Sequence, residues 1–394
     1  MNAGVAGRVP RLGAVLREKE TVTPLELFFD LVFVLALTQC TALMADDPTW
    51  KGLARGLLVL GVLWWSWVGY SWLTSVVDPE EGAVRLAMFG AMAALLICAL
   101  CVPQVFGDSA LTFAIAYGVV RVGQIVLFLV ASRDDPTLRS AVLAGLVGST
   151  SLGVGLLVAA SFADGTLQGG LWALALALDM AGPLLFGSEG WKLVPAHFAE
   201  RHGLIIIIAL GESIVAIGAG ATSHVDAGVV LAAALGTAVA AGLWWLYFDL
   251  VALVAERRLS NAEVGREQNE IARDSFSFLH LPMVAGIVLV ALGLKKTLEH
   301  VEDPLKTIPD FALMGGTALY LLAHVAFRWR NIHRFSTQRL LCALFVLALI
   351  PVAREIPAVV SVGLVAAALV VVIVYEVVHF ADLRDRMRHQ LARD

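Results

Sequence analysis

The run SVGLVAAALVVVIVY, residues 361–375, carries no charge, and neither do LLVLGVLWWSWVGYSWL and LAMFGAMAALLICALCV. Such runs leave a chain few ways to fold. A helix crosses a hydrocarbon core about 30 Å thick with about 20 mostly apolar residues. Backbone groups in that core have no water to bond, so open sheets are excluded. Only 15% of the 394 residues are charged, 59% are hydrophobic, and the mean hydropathy is +0.81. A soluble chain carries about 25% charged residues. The sequence therefore predicts an all-α fold: a polytopic helical membrane protein.

Twelve helices are expected, near 25–44, 53–77, 86–106, 110–131, 141–162, 169–187, 203–221, 227–254, 274–294, 310–327, 340–353 and 357–380. The basic residues test that count, because cytoplasmic segments collect Lys and Arg. With the N-terminus inside, the outer segments hold only Lys51, Arg55, Lys295, Lys296, Lys306 and Arg354 of the 28 basic residues. Arg121 lies within a span, and all the others fall on the inner side. Both termini are thus expected in the cytoplasm. The first 20 residues hold Arg8, Arg11, Arg17 and Lys19 but no apolar stretch, unlike a signal peptide. The four cysteines all lie inside apolar runs and suggest no disulfide framework.

The expected division is a cytoplasmic tail at 1–23, six-helix halves at 24–190 and 191–380, and a second tail at 381–394. Leu63-Trp64-Trp65 recurs as Leu243-Trp244-Trp245, Glu26 answers Glu200, and Tyr117 answers Tyr320. Two parallel six-helix repeats would produce this pattern. So would chance, in a chain with ten Trp. Trp50, Trp191 and Trp329 fall at expected interfaces, as in aromatic belts. Residues 256–273 read as a polar cytoplasmic link between the halves.

Ionisable groups inside spans are costly and mark function more often than elsewhere. Thr23-Pro24-Leu25-Glu26 fits a capping box, with Thr23 as N-cap and Glu26 reaching back. Asp30 lies one turn deeper, on the side of its helix that carries Thr38 and Thr41. That polar stripe should face other helices, either joining a site or gluing helices together. Asp179 falls near mid-membrane, and Pro183 four residues later should bend or break the helix, with Gly182 adding slack. Glu212 is another mid-depth acid and a proton-carrier candidate, with the Ser213 hydroxyl beside it. Gly211 and Gly218 share a face and should permit close helix packing. Arg121 should pair with Asp30, Asp179 or Glu212. Glu376 and His379 have a metal-capable E-x-x-H spacing, but a single copy at an interface predicts no metal site. Cys98 and Cys101 read as small core residues. The sequence has no P-loop, dinucleotide glycine pattern or nucleophile motif. No cofactor and no nucleic-acid partner are expected.

Two stretches, TPLELFFDLVFVLALTQ and AHFAERHGLIIIIALGESIVAIG, resemble the bacterial low temperature requirement protein A family across essentially the whole chain. Glu26 and Asp30 match its first motif. His197, Glu200, Arg201, Gly203, Gly211, Glu212 and Ser213 match its second. The resemblance implies a multi-pass bacterial inner-membrane protein linked by name to growth in the cold, and assigns no reaction to these positions.

The expected function is secondary transport or proton- or cation-coupled permeation. Asp30, Asp179 or Glu212 would bind the ion, and Arg121 would balance charge or hold an anionic solute. The partners would be the bilayer and a small solute or ion. Alternatives are a sensor or scaffold supporting growth at low temperature and an intramembrane enzyme acting on lipid.

Overall fold

A computed structural model describes residues 21–80, 82–221 and 225–381. The two expected tails lie outside these residues, except for 21–23 and 381. Among the described residues the regular structure is helical. The helices are α1 (Pro24–Asp46), α2 (Trp50–Val76), α3 (Gly82–Gln104), α4 (Ala110–Ala131), α5 (Pro136–Ala160) and α6 (Gly165–Leu185). They continue as α7 (Pro195–Gly220), α8 (Ala227–Ser260), α9 (Arg266–Glu299), α10 (Thr307–Ile332), α11 (Thr337–Ala353) and α12 (Ala358–His379). Ten of these described helices are long and apolar enough to cross a membrane, α6 and α11 being the exceptions.

Local chemistry sets the helix starts. The Thr23 N–H and hydroxyl both bond a Glu26 carboxylate oxygen, at 2.9 and 3.0 Å. The Glu26 N–H returns to the Thr23 hydroxyl at 3.4 Å, completing the expected capping box. Asp135 caps α5 by accepting the N–H groups of Thr137 and Leu138, with Pro136 at the first helical position. Lys192 closes on the other Asp135 oxygen at 2.5 Å. Lys192 and these N–H groups hold the Asp135 carboxyl below the usual carboxylate range.

The helices differ in how deeply they are buried. The most apolar 18-residue windows of α2, α9 and α10 are 83%, 78% and 78% buried, against 33% for α5 and 44% for α12. The well-buried α2 is among the least hydropathic, at 1.3, and the half-exposed α12 the most, at 2.8. Lipid demands apolar surface, while helix–helix faces accept hydroxyls such as Ser66, Ser71, Thr74 and Ser75, all buried on α2. Outward large side chains, among them Phe28, Leu31, Leu100 and Val371, cover the helices with apolar surface, as contact with lipid requires.

The chain folds into two compact units. One is built on Val62–Glu200, with Glu263–Asn269 and residues 21–33. In it α3 packs on α4, α4 on α5, and α5 on α6. The other comprises Val34–Gly61, Arg201–Ala262 and residues 270–381. Here α9 packs on α10, α10 on α11, and α8 on α12. The α9–α10 contact is close: a methyl added at Gly286 would lie 2.7 Å from the Gly316 carbonyl oxygen, and one at Gly316 equally near that of Gly286. Every residue from Met283 to Leu294 is buried, as expected of a helix apolar on all sides.

Several expectations need correction. α6 is not broken: Pro183 sits inside a helix that continues to Leu185. Proline near a C-terminus removes one hydrogen bond but leaves the preceding turns intact. Gly182 supplies contact rather than slack, since a methyl there would lie 2.8 Å from the Gly145 carbonyl oxygen and 2.9 Å from the Ser149 hydroxyl. Gly211 and Gly218 do not mediate close packing, because a methyl at either would meet nothing within 4 Å. α7 begins at Pro195, so His197, Glu200 and Arg201 lie in its first turns rather than before it. The polar link at 256–273 is largely helical, as a segment running along the membrane surface could be, but it does not lie wholly at the surface: Gln268 and Asn269 within it are buried. The Asn269 amide donates to the Ser188 and Trp191 carbonyl oxygens at 2.9 and 2.8 Å, which explains its burial. The tryptophan pairs equated by the repeat sit in different surroundings: Trp64 and Trp65 are 3% and 4% exposed, Trp244 and Trp245 45% and 40%.

Candidate functional site

Helix periodicity places Tyr117, Arg121 and Gln124 on one face of α4, where all three are buried. Arg121 is 1% exposed, and such a charge is costly unless it is paired and hydrogen-bonded. One terminal nitrogen donates to Asp179 Oδ1 and to the Thr150 hydroxyl, both at 2.8 Å. The other donates to Gln124 Oε1 at 2.9 Å and to the Trp65 carbonyl at 3.4 Å. Its Nε has no hydrogen-bond partner among the described residues. Thr150 also donates to Asp179 Oδ1, at 3.3 Å, and the Tyr117 hydroxyl approaches Oδ2 at 3.4 Å. Four helices thus surround one ion pair: α4 and α6 supply the charges, α5 the threonine, and α2 a carbonyl. Gly69 on α2 admits the Gln124 amide, since a methyl there would lie 2.3 Å from it. A cavity of about 10 Å³ beside Asp179 is bordered by Tyr117, Gly153 and Leu157. That is space for one water at most.

A second buried group of the same unit gathers at the start of α1. One Glu26 oxygen serves the capping box, and the other meets His197 Nε2 at 2.8 Å, with both side chains fully buried. Ser75 lies 3.4 Å from His197 Nδ1 and accepts the Val194 N–H. Glu200 accepts the Val22 N–H at 2.8 Å. Asp30 is 1% exposed and accepts the Trp67 indole N–H at 2.9 Å.

In the other unit Glu212 is 1% exposed and accepts the Thr38 hydroxyl. Ser213 beside it is buried, with no partner for its hydroxyl among the described residues. Gly203 seats the Phe248 ring, 3.4 Å from where its methyl would lie. Arg201 is fully buried. A larger polar group lies farther along the chain. The Tyr247 hydroxyl meets His280 Nε2 at 2.8 Å, and His280 Nδ1 lies 3.0 Å from the Ser275 carbonyl. That carbonyl can only accept, so Nδ1 carries a proton, and in the neutral ring Nε2 accepts from Tyr247. Arg339 grips Glu376 through two bonds, of 2.8 and 2.7 Å, and donates to His324 Nδ1 at 2.9 Å. The His202 ring meets His280 edge-on, 5.2 Å between centres.

Of the three acids open to Arg121, the structure pairs it with Asp179. Asp30 and Glu212 instead bond Trp67 and Thr38. Sequence reading missed Thr150, Gln124 and His202. The stripe Tyr117, Arg121 and Gln124, at i, i+4 and i+7 in an apolar run, was a readable signal for Gln124. No comparable signal marked Thr150, which follows a π-helical turn at Leu143–Val147 that shifts the helix phase. Glu376 is bound to Arg339 rather than poised with His379. Among the described residues no group of three or more His, Cys, Asp or Glu side chains is arranged to hold a metal. All four cysteines are free thiols.

No solved structure matches the chain. An uncharacterized protein of Rhizobium meliloti (strain 1021) is 30% identical over 308 residues, covering 75% of this chain and 74% of the relative. The family model for the bacterial low temperature requirement A protein matches residues 21–374, nearly the whole described chain including both acidic motifs. With buried acids on membrane-length helices and a match of this extent, the chain belongs to the bacterial low temperature requirement A family.

Proposed function

We propose that this multi-pass membrane protein is a secondary permease of the bacterial inner membrane, coupled to protons or cations. The observation that carries the reading is the Arg121–Asp179 ion pair, almost wholly buried among apolar helices. A buried ion pair is poor evidence for stability, because desolvation cancels much of the attraction. Ionisable groups at such depth serve pathways and relays more often than packing. The pair gives a concrete switch. A proton arriving on Asp179 neutralises it and leaves Arg121 with Gln124, Thr150 and a carbonyl, all neutral. The uncompensated guanidinium then favours an anionic solute. Loss of the proton restores the pair and expels the anion. The cavity of about 10 Å³ admits no solute, so this arrangement would be the occluded, empty state. Glu212 and Asp30 are secondary candidates for the coupling ion. In this reading all twelve helices cross the membrane and both termini face the cytoplasm. That topology is supported by the separation of basic residues between alternate segments.

The test uses purified protein in liposomes enclosing a pH-sensitive dye, challenged with a panel of small anions under an imposed pH gradient. At least one anion should drive dye acidification in the wild type and none in Asp179→Asn. The double variant Arg121→Gln/Asp179→Asn restores charge balance, so it should fold while remaining inactive. No flux for any solute, with the double variant supporting growth in the cold as well as wild type, would overturn the reading. A stoichiometric partner protein co-purifying from the membrane would favour a sensor or scaffold instead.

A further inference from the structure

A pocket that the mechanism above leaves unused lies in the second unit, where α8 pauses at Asp249 and Leu250 and where α10 and α12 end. Its volume is about 100 Å³. About 10–15 Å³ of such space holds one water, so it has room for several waters or a phosphate-sized group. Its polar lining divides into satisfied and unsatisfied groups. Arg339 is consumed by Glu376 and His324. Asn331 donates to the Phe327 carbonyl and accepts from Ser275. Arg328 differs. Its guanidinium stands 5.6 Å from the centre of the Phe380 ring and has no carboxylate within ion-pair distance among the described residues. Arg334 and Arg339 add positive charge nearby, and the Glu376 carboxylate, already held by Arg339, opposes it in part. Asp249 also lines the pocket, so an anion would be held where Arg328 and Phe380 meet.

The surroundings indicate where such an anion comes from. The pocket is at helix ends, where the headgroup region of a bilayer would fall, and basic pockets between transmembrane helices on the cytoplasmic side bind anionic headgroups. Trp245 on its rim is 40% exposed, and Val251 and Val254 continue an apolar flank. Aromatic side chains with one wet and one apolar side favour this interface. We infer that Arg328, with Phe380 and Trp245, forms a binding site for the phosphate of an anionic phospholipid, whose acyl chains stay outside along the helices. This binding does not depend on transport at Arg121.

The experiment measures thermal unfolding and native mass spectra of full-length protein in neutral detergent, with phosphatidylglycerol, phosphatidylcholine or inorganic phosphate added. Phosphatidylglycerol should raise the wild-type Tm by several degrees and remain bound in the gas phase, and phosphatidylcholine should do neither. Arg328→Gln should weaken phosphatidylglycerol binding by about tenfold or more. Val254→Trp, which fills the pocket and keeps every charge, should weaken it similarly and serves if Arg328→Gln does not fold. A shift of equal size from inorganic phosphate, lost in Arg328→Gln, would support the same anion site with a soluble source. Unchanged phosphatidylglycerol binding in either variant would overturn the inference.

Discussion

Arg121 and Asp179 are 58 positions apart in the chain and 2.8 Å apart in the fold. Asp179→Asn leaves a buried guanidinium facing only neutral groups. Removing one partner of a buried pair costs about 3–5 kcal/mol. The single variant should therefore lose several degrees in Tm, and Arg121→Gln/Asp179→Asn should recover much of the loss. Thermal unfolding in detergent checks both, and a double variant no better than the single would mean the pair is not electrostatically coupled. Glu26 shows how one side chain can hold two roles. Its capping function was legible from spacing alone, because Thr23 and Glu26 are three residues apart on a chain turning into a helix. Its bond to His197 was not, since nothing local relates residues 26 and 197.

At the scale of the element, the start of α5 carries a pH dependence. The Asp135 carboxyl is depressed in the fold by Lys192 and the N–H groups it caps. A group whose folded value lies below its unfolded one adds stability above the unfolded value and loses it as pH falls through the folded one. Stability from this cap should fade below about pH 4, the ordinary carboxylate range. Asp135→Asn should remove that part of the acid sensitivity, read as a flatter Tm profile between pH 5 and 3. The pair is partly exposed, so added salt should shrink the effect. Glycines give a sharper contrast. Gly286→Val must push α9 from α10, since its methyl positions are already occupied by backbone, and overpacking costs about 1–3 kcal/mol or more. Gly211→Ala and Gly218→Ala meet open space inside a helix and should be neutral or stabilise by up to about 1 kcal/mol. Expression yield and Tm of the three variants decide it. All of these glycines look alike in sequence; only the neighbouring helix tells a contact glycine from an exposed one.

For the whole molecule, topology is the quantity to measure. With its four buried cysteines replaced, the chain carrying a single cysteine at Asp394 should react with a membrane-impermeant maleimide only after the cells are opened. Labelling in intact cells would place the C-terminus outside and change the number of crossings. Residue chemistry alone determined that this chain must be helical and lipid-embedded: apolar length and the absence of water for backbone groups permit little else, and both can be counted along the chain. It also showed which polar groups would be buried at a cost. The tertiary structure decided which of them meet. It joined Arg121 to Asp179, Asp30 to Trp67 and Glu212 to Thr38, because pairing depends on how helices rotate and approach. Hydropathy is nearly blind to that choice, since many rotations of an apolar helix satisfy lipid equally well and only contacts between distant segments select one.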